Sequence, residues 1–115
     1  MDLKAKLSAL DNMIVNGQIL ESVEIFFHPN VVTMEGNEGK IEGKPNKIEH
    51  LKSFFSTISA VNGITLHSQS VGDGVTMSEF TFDLQQSDGN HILWNEVLRR
   101  QWQDGLVINE RYYTA

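Results

Sequence analysis

The chain of 115 residues contains no cysteine and only two prolines. Without cysteine it has no disulfides, no thiolate nucleophile and no zinc–thiolate site. With two prolines and 40% hydrophobic residues, it does not have the composition of a disordered or fibrous chain. The length suits one domain with one core, so we expect residues 1–115 to form a single domain.

Several classes of partner are also disfavoured. The four histidines show no metal-ligand spacing, so we expect no metal and no cofactor. The basic residues are scattered and the net charge is −6, which argues against nucleic acid and anionic membranes. No apolar run approaches the roughly 20 residues of a membrane span. The first residues, MDLK, do not begin a secretory signal pattern, so we expect a cytoplasmic protein.

Helical periodicity is concentrated in the first half of the chain. Apolar residues recur at three- and four-residue steps through residues 2–16 and again through residues 18–27, which predicts two amphipathic helices. Gly17 is placed to end the first helix, and residues 28–30 to end the second. A third helix is predicted to begin at residues 43–46, with Pro45 in its first turn.

Strand patterns dominate the second half of the chain. Residues 31–35 and 40–42 predict a small hairpin around a glycine-rich segment. Four further strands are predicted as an antiparallel meander, at residues 64–71, 75–84, 92–102 and 106–114. This order predicts an α+β fold in which a curved antiparallel sheet wraps around the N-terminal helices. Such a cone can enclose a pocket between sheet and helices.

The last hairpin turns at Asp104-Gly105, which is the strongest hairpin signal in the chain. A two-residue loop would pair Trp102 with Val107. A three-residue loop, with Gly105 in a left-handed bulge position, would pair Trp102 with Leu106. We expect the second register because it separates polar from apolar residues better. It places on one face Trp94, Glu96, Leu98, Arg100, Trp102, Leu106, Ile108, Glu110 and Tyr112.

Three charged residues lie on this otherwise apolar face. Burying a charge is costly unless it is paired, hydrated or used. Arg100 is expected to lie diagonal to Glu110, so a structural ion pair would account for both, while a role for Arg100 in orienting a substrate is the alternative. Glu96 has no partner within the hairpin and is therefore the more promising functional residue.

Four local strings resemble a SnoaL-like member of the nuclear transport factor 2-like superfamily. They are GQILE at 17–21, FHPNVV at 27–32, IEGK at 41–44 and WQDGLV at 102–107. The resemblance covers nearly the whole chain and implies the cone-shaped fold, which is also called cystatin-like. It leaves the chemistry open, because the superfamily includes polyketide cyclases, ketosteroid isomerases, dehydratases, epoxide hydrolases and non-catalytic modules.

The ketosteroid isomerase branch, which the chain resembles less closely, implies two carboxylate positions. One lies at the end of the first strand, where this sequence has Glu35; it would be a base facing the cone, or else a solvated strand end. The other lies in the penultimate strand, near Glu96 and nearer still to Leu98. The branch also implies a tyrosine on the first helix. Residues 10–17 contain none, which argues against steroid isomerisation.

Other residues complete the candidate site. His67, on the strand at 64–71, is a further acid–base candidate if it reaches the pocket, or otherwise a surface residue. Aromatic side chains would suit a ring-bearing or fatty ligand, although core packing is the alternative. The candidate substrate-binding residues are Arg100, Trp94, Leu98, Phe80 and Tyr112.

The sequence thus predicts a protein that binds an apolar, oxygen-bearing small molecule and catalyses cofactor-independent proton transfer of the isomerase, cyclase or dehydratase type. The alternative is a non-catalytic ligand-binding or dimerisation module of the same fold. Catalysis requires at least two of Glu35, Glu96, Arg100 and His67 to point into a cavity. A cone filled by its own side chains would leave only the alternative.

The outer face of the predicted sheet is polar yet carries Val97 and Val107. Tyr113 and Arg111 lie there too, and interfaces favour both residue types. The resemblance implies a homodimer formed through this outer face.

Overall fold

The computed structural model describes residues 2–115, which form three helices and one six-stranded sheet. The helices are α1 (Leu3–Val15), α2 (Ile19–Phe26) and α3 (Lys44–Phe55). The strands are β1 (Phe27–Glu35), β2 (Glu38–Glu42), β3 (Ile58–Val71), β4 (Val75–Gln86), β5 (His91–Gln103) and β6 (Leu106–Thr114). The sheet order is β2-β1-β6-β5-β4-β3, with β1 parallel to β6 and every other pair antiparallel. The three helices and the single sheet confirm the predicted α+β class, and the sheet is open and curved.

Local signals explain where the first two helices begin and end. The Asp2 side chain accepts a hydrogen bond from the Ala5 amide at 3.1 Å and so caps α1. Gly17, with φ of 80°, ends α1 as predicted, since this left-handed conformation suits glycine. Residues 28–30 do not form a separate turn, because α2 passes directly into β1 at Phe27. Pro29 is tolerated there because the β1–β6 register is interrupted between Phe27 and Val32.

The core lies between the helices and the inner face of the sheet. Phe80, Phe82 and Leu84 alternate inward along β4, as the sequence pattern predicted. Leu7 and Leu10 of α1 pack against this face with almost no exposed surface. The sheet therefore has one face covered by helices and one face free of them.

Strand β3 begins earlier than predicted. It starts at Ile58 and continues through Asn62 and Gly63, whereas the sequence pattern predicted a strand only from residue 64. The β3–β4 register shifts at Gly63, so the strand accommodates these residues as an irregularity rather than a turn.

The register of the β5–β6 hairpin differs from the expected one. Asp104 and Gly105 both have positive φ, 53° and 81°, which is the signature of a two-residue type I′ loop. Trp102 therefore pairs with Val107, and the expected three-residue loop is wrong. Val107 is consequently fully buried instead of lying on the outer face.

A bulge next to the turn returns the rest of β6 to the side of the sheet that the sequence predicted. Gln101 pairs with Asn109, so Ile108 is an extra residue on β6. Beyond this point Arg100 lies directly opposite Glu110, not diagonal to it, and Leu98 lies opposite Tyr112. The prediction placed Leu106 and Ile108 on the inner face of the sheet, but both side chains are only partly buried.

Candidate functional site

A cavity of about 340 Å³ lies between the helices and the inner face of the sheet. Apolar side chains from all three helices and from β1, β4 and β5 form most of its wall. These residues are Ile14, Ile19, Val23, Phe27, Leu51, Phe54, Phe55, Phe82, Leu84, Trp94 and Leu98. The Phe54 and Trp94 rings stack at 5.4 Å between centroids, with an interplanar angle of 25°. The cone is therefore not filled by its own side chains.

Polar groups gather where β1, β5 and β6 meet α3. Tyr112 pairs with Leu98 on one side and with Glu35 on the other. Glu96 is two residues from Leu98 along β5 and so points to the same face. Both carboxylates line the cavity, as does Tyr112. A second depression of about 340 Å³ shares Glu35, Trp94, Glu96 and Tyr112 with the first, so the two cavities adjoin at the carboxylates.

Glu96 has an unusual electrostatic environment. Its pKa is raised to about 7, mainly by burial and then by the nearby negative charges of Glu35 and Glu110, against an opposing effect of Lys47. Within residues 2–115, no basic group lies within ion-pairing distance of its carboxylate. Glu96 therefore exchanges its proton in the neutral pH range.

Lys47 enters the site from α3 and is almost completely buried. Its ammonium group donates a hydrogen bond to the Tyr112 hydroxyl oxygen and lines the cavity. Burial lowers the pKa of Lys47, although the carboxylates of Glu110 and Glu96 oppose this effect. The neutral amine of Lys47 is therefore more accessible than that of a solvent-exposed lysine.

Arg100 does not line the cavity, in contrast to its predicted role in binding a substrate. It is fully buried behind the pocket, where it donates to Asp11 at 2.8 Å and to Glu110 at 2.7 Å. Asp11 also accepts from Ser78 at 2.5 Å and from Gln69 at 2.9 Å. The ion pairs hold α1 against β5 and β6, which is the structural alternative stated for Arg100 and Glu110.

Two further predicted site residues lie away from the cavity. His67 is exposed on the outer face of β3, and its Nε2 lies 2.7 Å from the Thr81 hydroxyl. The register irregularity between Leu66 and Ser68 accompanies this orientation. Phe80 is fully buried and packs against Phe82 in the core, so it supports the wall without lining it.

Sequence reasoning missed Lys47 and Asp11. Each is charged, and charged residues on a helix are ordinarily assigned to the solvent side. A signal was nevertheless present, because Asp11 is four residues after Leu7 and Lys47 is four residues before Leu51, which places each on an apolar stripe. His50 is exposed on α3, yet it also borders the cavity.

Two classes of feature are absent from the part of the chain that the structure describes. No cluster of three or more His, Asp or Glu side chains across residues 2–115 could hold a metal ion. Over the same residues, no helix is long and apolar enough to cross a membrane.

Comparison with known proteins gives structural neighbours only. No protein-family model matches the chain, and no curated protein matches its sequence. A candidate SnoaL-like polyketide cyclase from Mesorhizobium loti has a TM-score of 0.88 and 18% identity, covering 98% of this chain and 99% of that one. A protein of unknown function with a cystatin-like fold from Xanthomonas campestris has a TM-score of 0.84 and 16% identity, covering 100% of this chain and 92% of that one.

A third structure is an epoxide hydrolase of the LEH-like type from M. tuberculosis, with a TM-score of 0.75 and 15% identity. It is matched over 96% of this chain and 80% of its own. At such identities the comparison establishes the fold and not the chemistry. The chain has the SnoaL-like, nuclear transport factor 2-like fold, as the sequence resemblance implied.

Proposed function

We propose that the cavity binds an apolar small molecule with an oxygen atom at one end, and that Glu96 exchanges a proton with this ligand without a cofactor. The observation that carries the proposal is a carboxyl group that lines an apolar cavity, has no ion-pair partner within residues 2–115, and has a pKa raised to about 7. A general acid or base is most effective when its pKa lies near the operating pH. Isomerisation, aldol-type cyclisation, dehydration and hydration all need such a group.

The remaining polar groups have complementary roles in this proposal. The Tyr112 hydroxyl accepts a hydrogen bond from Lys47, so its own proton is available to a ligand oxygen. Donors held in place in an apolar site stabilise charge that develops on such an oxygen. Glu35 lies level with Tyr112 on the neighbouring strand and serves as the second carboxylate. Because it is exposed, it is suited to passing protons between the cavity and solvent.

The apolar wall selects the other end of the ligand. The stacked pair of Phe54 and Trp94, with Phe82 and Leu98, offers flat and aliphatic surfaces that suit a ring-bearing compound. Similarly folded proteins are named as a candidate polyketide cyclase and an epoxide hydrolase, which supports small-molecule chemistry in a cavity of this type. These names do not choose among the reaction types.

The proton-transfer step can be tested with 2-tetralone, an apolar bicyclic ketone with exchangeable protons beside its carbonyl. The parent protein in D2O should accelerate deuterium incorporation at these positions, measured by proton NMR. Glu96→Gln should lower the protein-dependent rate by about 10²–10⁴-fold, the range typical of general acid–base catalysis. Glu21→Gln, on the exposed side of α2, is the control and should exchange like the parent.

The same experiment separates the two candidate functions. If 2-tetralone binds, as saturation-transfer NMR would report, and the protein leaves its exchange rate unchanged, the cavity is a binding site without catalysis. If Glu96→Gln and the parent exchange the probe equally fast, Glu96 is not the proton-transfer group.

We also propose that the outer sheet face forms a homodimer. This face carries the exposed side chains of Met77, Leu93 and Tyr113 among polar groups. Leu93, at 56% exposure, and Tyr113, at 40%, belong to β5 and β6, whose outer sides no helix covers. Aromatic and methionine side chains set in a polar rim are typical of protein interfaces.

A further inference from the structure

We propose that Lys47 forms a covalent imine with an aldehyde or ketone ligand in the cavity. This inference deepens the proposed function, because it uses the same cavity, and it names the oxygen-bearing group as a carbonyl. Capture of a carbonyl does not itself require proton transfer by Glu96 on the ligand's carbon, so the two proposals are separable by experiment.

The position of Lys47 carries the inference. Its side chain is 3% exposed, yet the residue borders the cavity and therefore faces a ligand rather than bulk solvent. Among residues 2–115, no carboxylate lies within ion-pairing distance of the Lys47 nitrogen. Within the same residues, its one side-chain hydrogen bond is to the Tyr112 hydroxyl. Lysine is rarely buried without a carboxylate partner. An ion pair would hold the nitrogen as ammonium, whereas a hydroxyl partner is compatible with the neutral amine.

Burial is the dominant influence on the protonation of Lys47. It lowers the pKa of the amine; Glu110 and Glu96 oppose this shift, Arg100 adds to it, and Glu35 makes the smallest opposing contribution. A desolvated lysine in an apolar pocket is an activated nucleophile toward carbonyl carbon. The other lysines of α3 contrast with it, since Lys44 donates to the Glu24 carbonyl oxygen at 2.6 Å and Lys52 is exposed.

The reaction needs only groups that are present at the site. The neutral Lys47 nitrogen attacks the carbonyl carbon, the carbonyl electron pair moves to oxygen, and a proton moves from nitrogen to that oxygen. The carbinolamine then loses its hydroxyl group as water: Glu96 donates a proton to the leaving oxygen, and the nitrogen lone pair forms the C=N bond of a protonated imine. Return of the nitrogen's proton to the Glu96 carboxylate completes the balance, so one carbonyl and one amine give one imine and one water. The Tyr112 hydroxyl, adjacent to the nitrogen, positions it for the attack.

Borohydride trapping with 2-naphthaldehyde tests the inference. This apolar aldehyde has no hydrogen on the carbon next to the carbonyl that could be exchanged, so it reports capture alone. The parent protein is incubated with the aldehyde near neutral pH, reduced with sodium borohydride and digested for peptide mass mapping. An ordinary lysine is almost entirely protonated at this pH. We therefore expect the secondary amine at Lys47 to form about tenfold faster, or more, than at the exposed Lys52 of the same helix.

Two variants test whether the fast adduct forms at Lys47. Lys47→Met should abolish the fast adduct, and Lys52→Met should leave it unchanged. If Lys47→Met fails to fold, as judged by circular dichroism, the peptide map of the parent decides the question alone. An adduct confined to exposed lysines or to the amino terminus, equal labelling of Lys47 and Lys52, or no adduct at all would each overturn the inference.

The outcome is distinguishable from that of the proposed function. Glu96→Gln is expected to form the Lys47 adduct more slowly while losing deuterium exchange into 2-tetralone. Fast labelling of Lys47 in a protein that exchanges no deuterium would support carbonyl capture and contradict proton transfer. Exchange without labelling of Lys47 would support proton transfer and contradict carbonyl capture.

Discussion

At the scale of single residues, the chemistry of the cavity depends on charges that are kept unpaired. Glu96 lies among apolar side chains and near two other carboxylates, Glu35 and Glu110, and both conditions favour its protonated form. Glu110 is ion-paired with Arg100, which also pairs with Asp11. Arg100 is therefore engaged by two other carboxylates and does not form an ion pair with Glu96.

The raised pKa of Glu96 predicts a pH dependence of stability. The carboxyl ionises near its ordinary pKa of 4.5 in the unfolded chain and at about 7 in the folded protein. Between these values the folded state holds a proton that the unfolded state has lost, so stability falls as pH rises through this window and is constant above it. Relative to the parent, Glu96→Gln should therefore gain about 1–2 kcal/mol in unfolding free energy between about pH 5 and about pH 8, a value discounted for partial solvent exposure.

Urea unfolding at the two pH values measures this gain. Glu21→Gln, which removes a carboxyl from the exposed side of α2, should follow the parent at both pH values. Parallel pH–stability curves for the parent and Glu96→Gln would show that Glu96 titrates normally.

The sequence located some of these residues and misassigned others for a common reason. Glu96 was recognisable because it is a charge on an apolar strand face without a local partner. Arg100 lies on the same face, and its ion pair with Glu110 was one of the two predicted roles. Its second partner, Asp11, is 89 residues away on α1, and a sequence pattern does not reveal such a distant contact. For His67 the sequence left both the pocket and the surface open. Its neighbour Leu66 packs against the core, so the alternation of β3 places the His67 ring on the outer face beside Thr81.

At the scale of elements, the β5–β6 hairpin determines which side chains reach the cavity. Its type I′ turn sets the pairing of Trp102 with Val107, and the bulge at Ile108 then changes the alternation of β6. Without that extra residue, Glu110 and Tyr112 would lie on the outer face. The hydroxyl that Lys47 contacts is in the cavity because of this bulge.

The turn conformation predicts the cost of a substitution. Gly105 has φ of 81°, where a side chain is strained, so Gly105→Ala should lower the unfolding free energy by about 1–2 kcal/mol. Asp104→Asn is the control, because asparagine also adopts positive φ in type I′ turns, and its stability should stay within about 0.5 kcal/mol of the parent. Both values come from urea unfolding at one pH. A neutral Gly105→Ala would mean that the turn does not have this conformation in solution.

The hairpin also shows what polarity patterns can and cannot predict. The expected inner face was correct for Glu96, Leu98, Arg100, Glu110 and Tyr112, because these residues lie beyond the bulge. It was wrong for residues 106–108. Counting alternate residues assumes an uninterrupted ladder, and two compensating irregularities, a shorter loop and a bulge, gave the same face at the far end of the hairpin.

At the scale of the whole molecule, the order of helices and strands was predictable because each element carries its own periodic signal. The strand order of the sheet was not predictable in this way, because the parallel pairing of β1 with β6 joins strands that are far apart in the sequence. That pairing places Glu35 beside Tyr112 and so assembles the cavity. The resemblance to known cone-shaped folds implied that Glu35 could face the cone, but it did not specify the strand pairing that places Glu35 there.

The proposed homodimer is a prediction at the same scale. Val97 lies on the outer side of β5, between Glu79 and Tyr113 in the register of the sheet. We expect sedimentation velocity to give a dimer for the parent and a monomer for Val97→Glu, which would place a second carboxylate beside Glu79 at the interface. Glu21→Gln, on the exposed side of α2, is the control and should remain dimeric. A monomeric parent at all protein concentrations would contradict the proposed interface.

The proton-exchanging carboxyl of Glu96 is the central claim, and its direct titration is the most decisive measurement. Side-chain carboxyl carbons of glutamate, labelled with ¹³C, can be followed by NMR across the pH range, and the Glu96 signal is identified by its loss in Glu96→Gln. We predict a midpoint of about 7 for this signal. A midpoint near the ordinary value of 4.5 would show that Glu96 is ionised throughout the neutral range and would contradict its assignment as the acid–base group of the cavity.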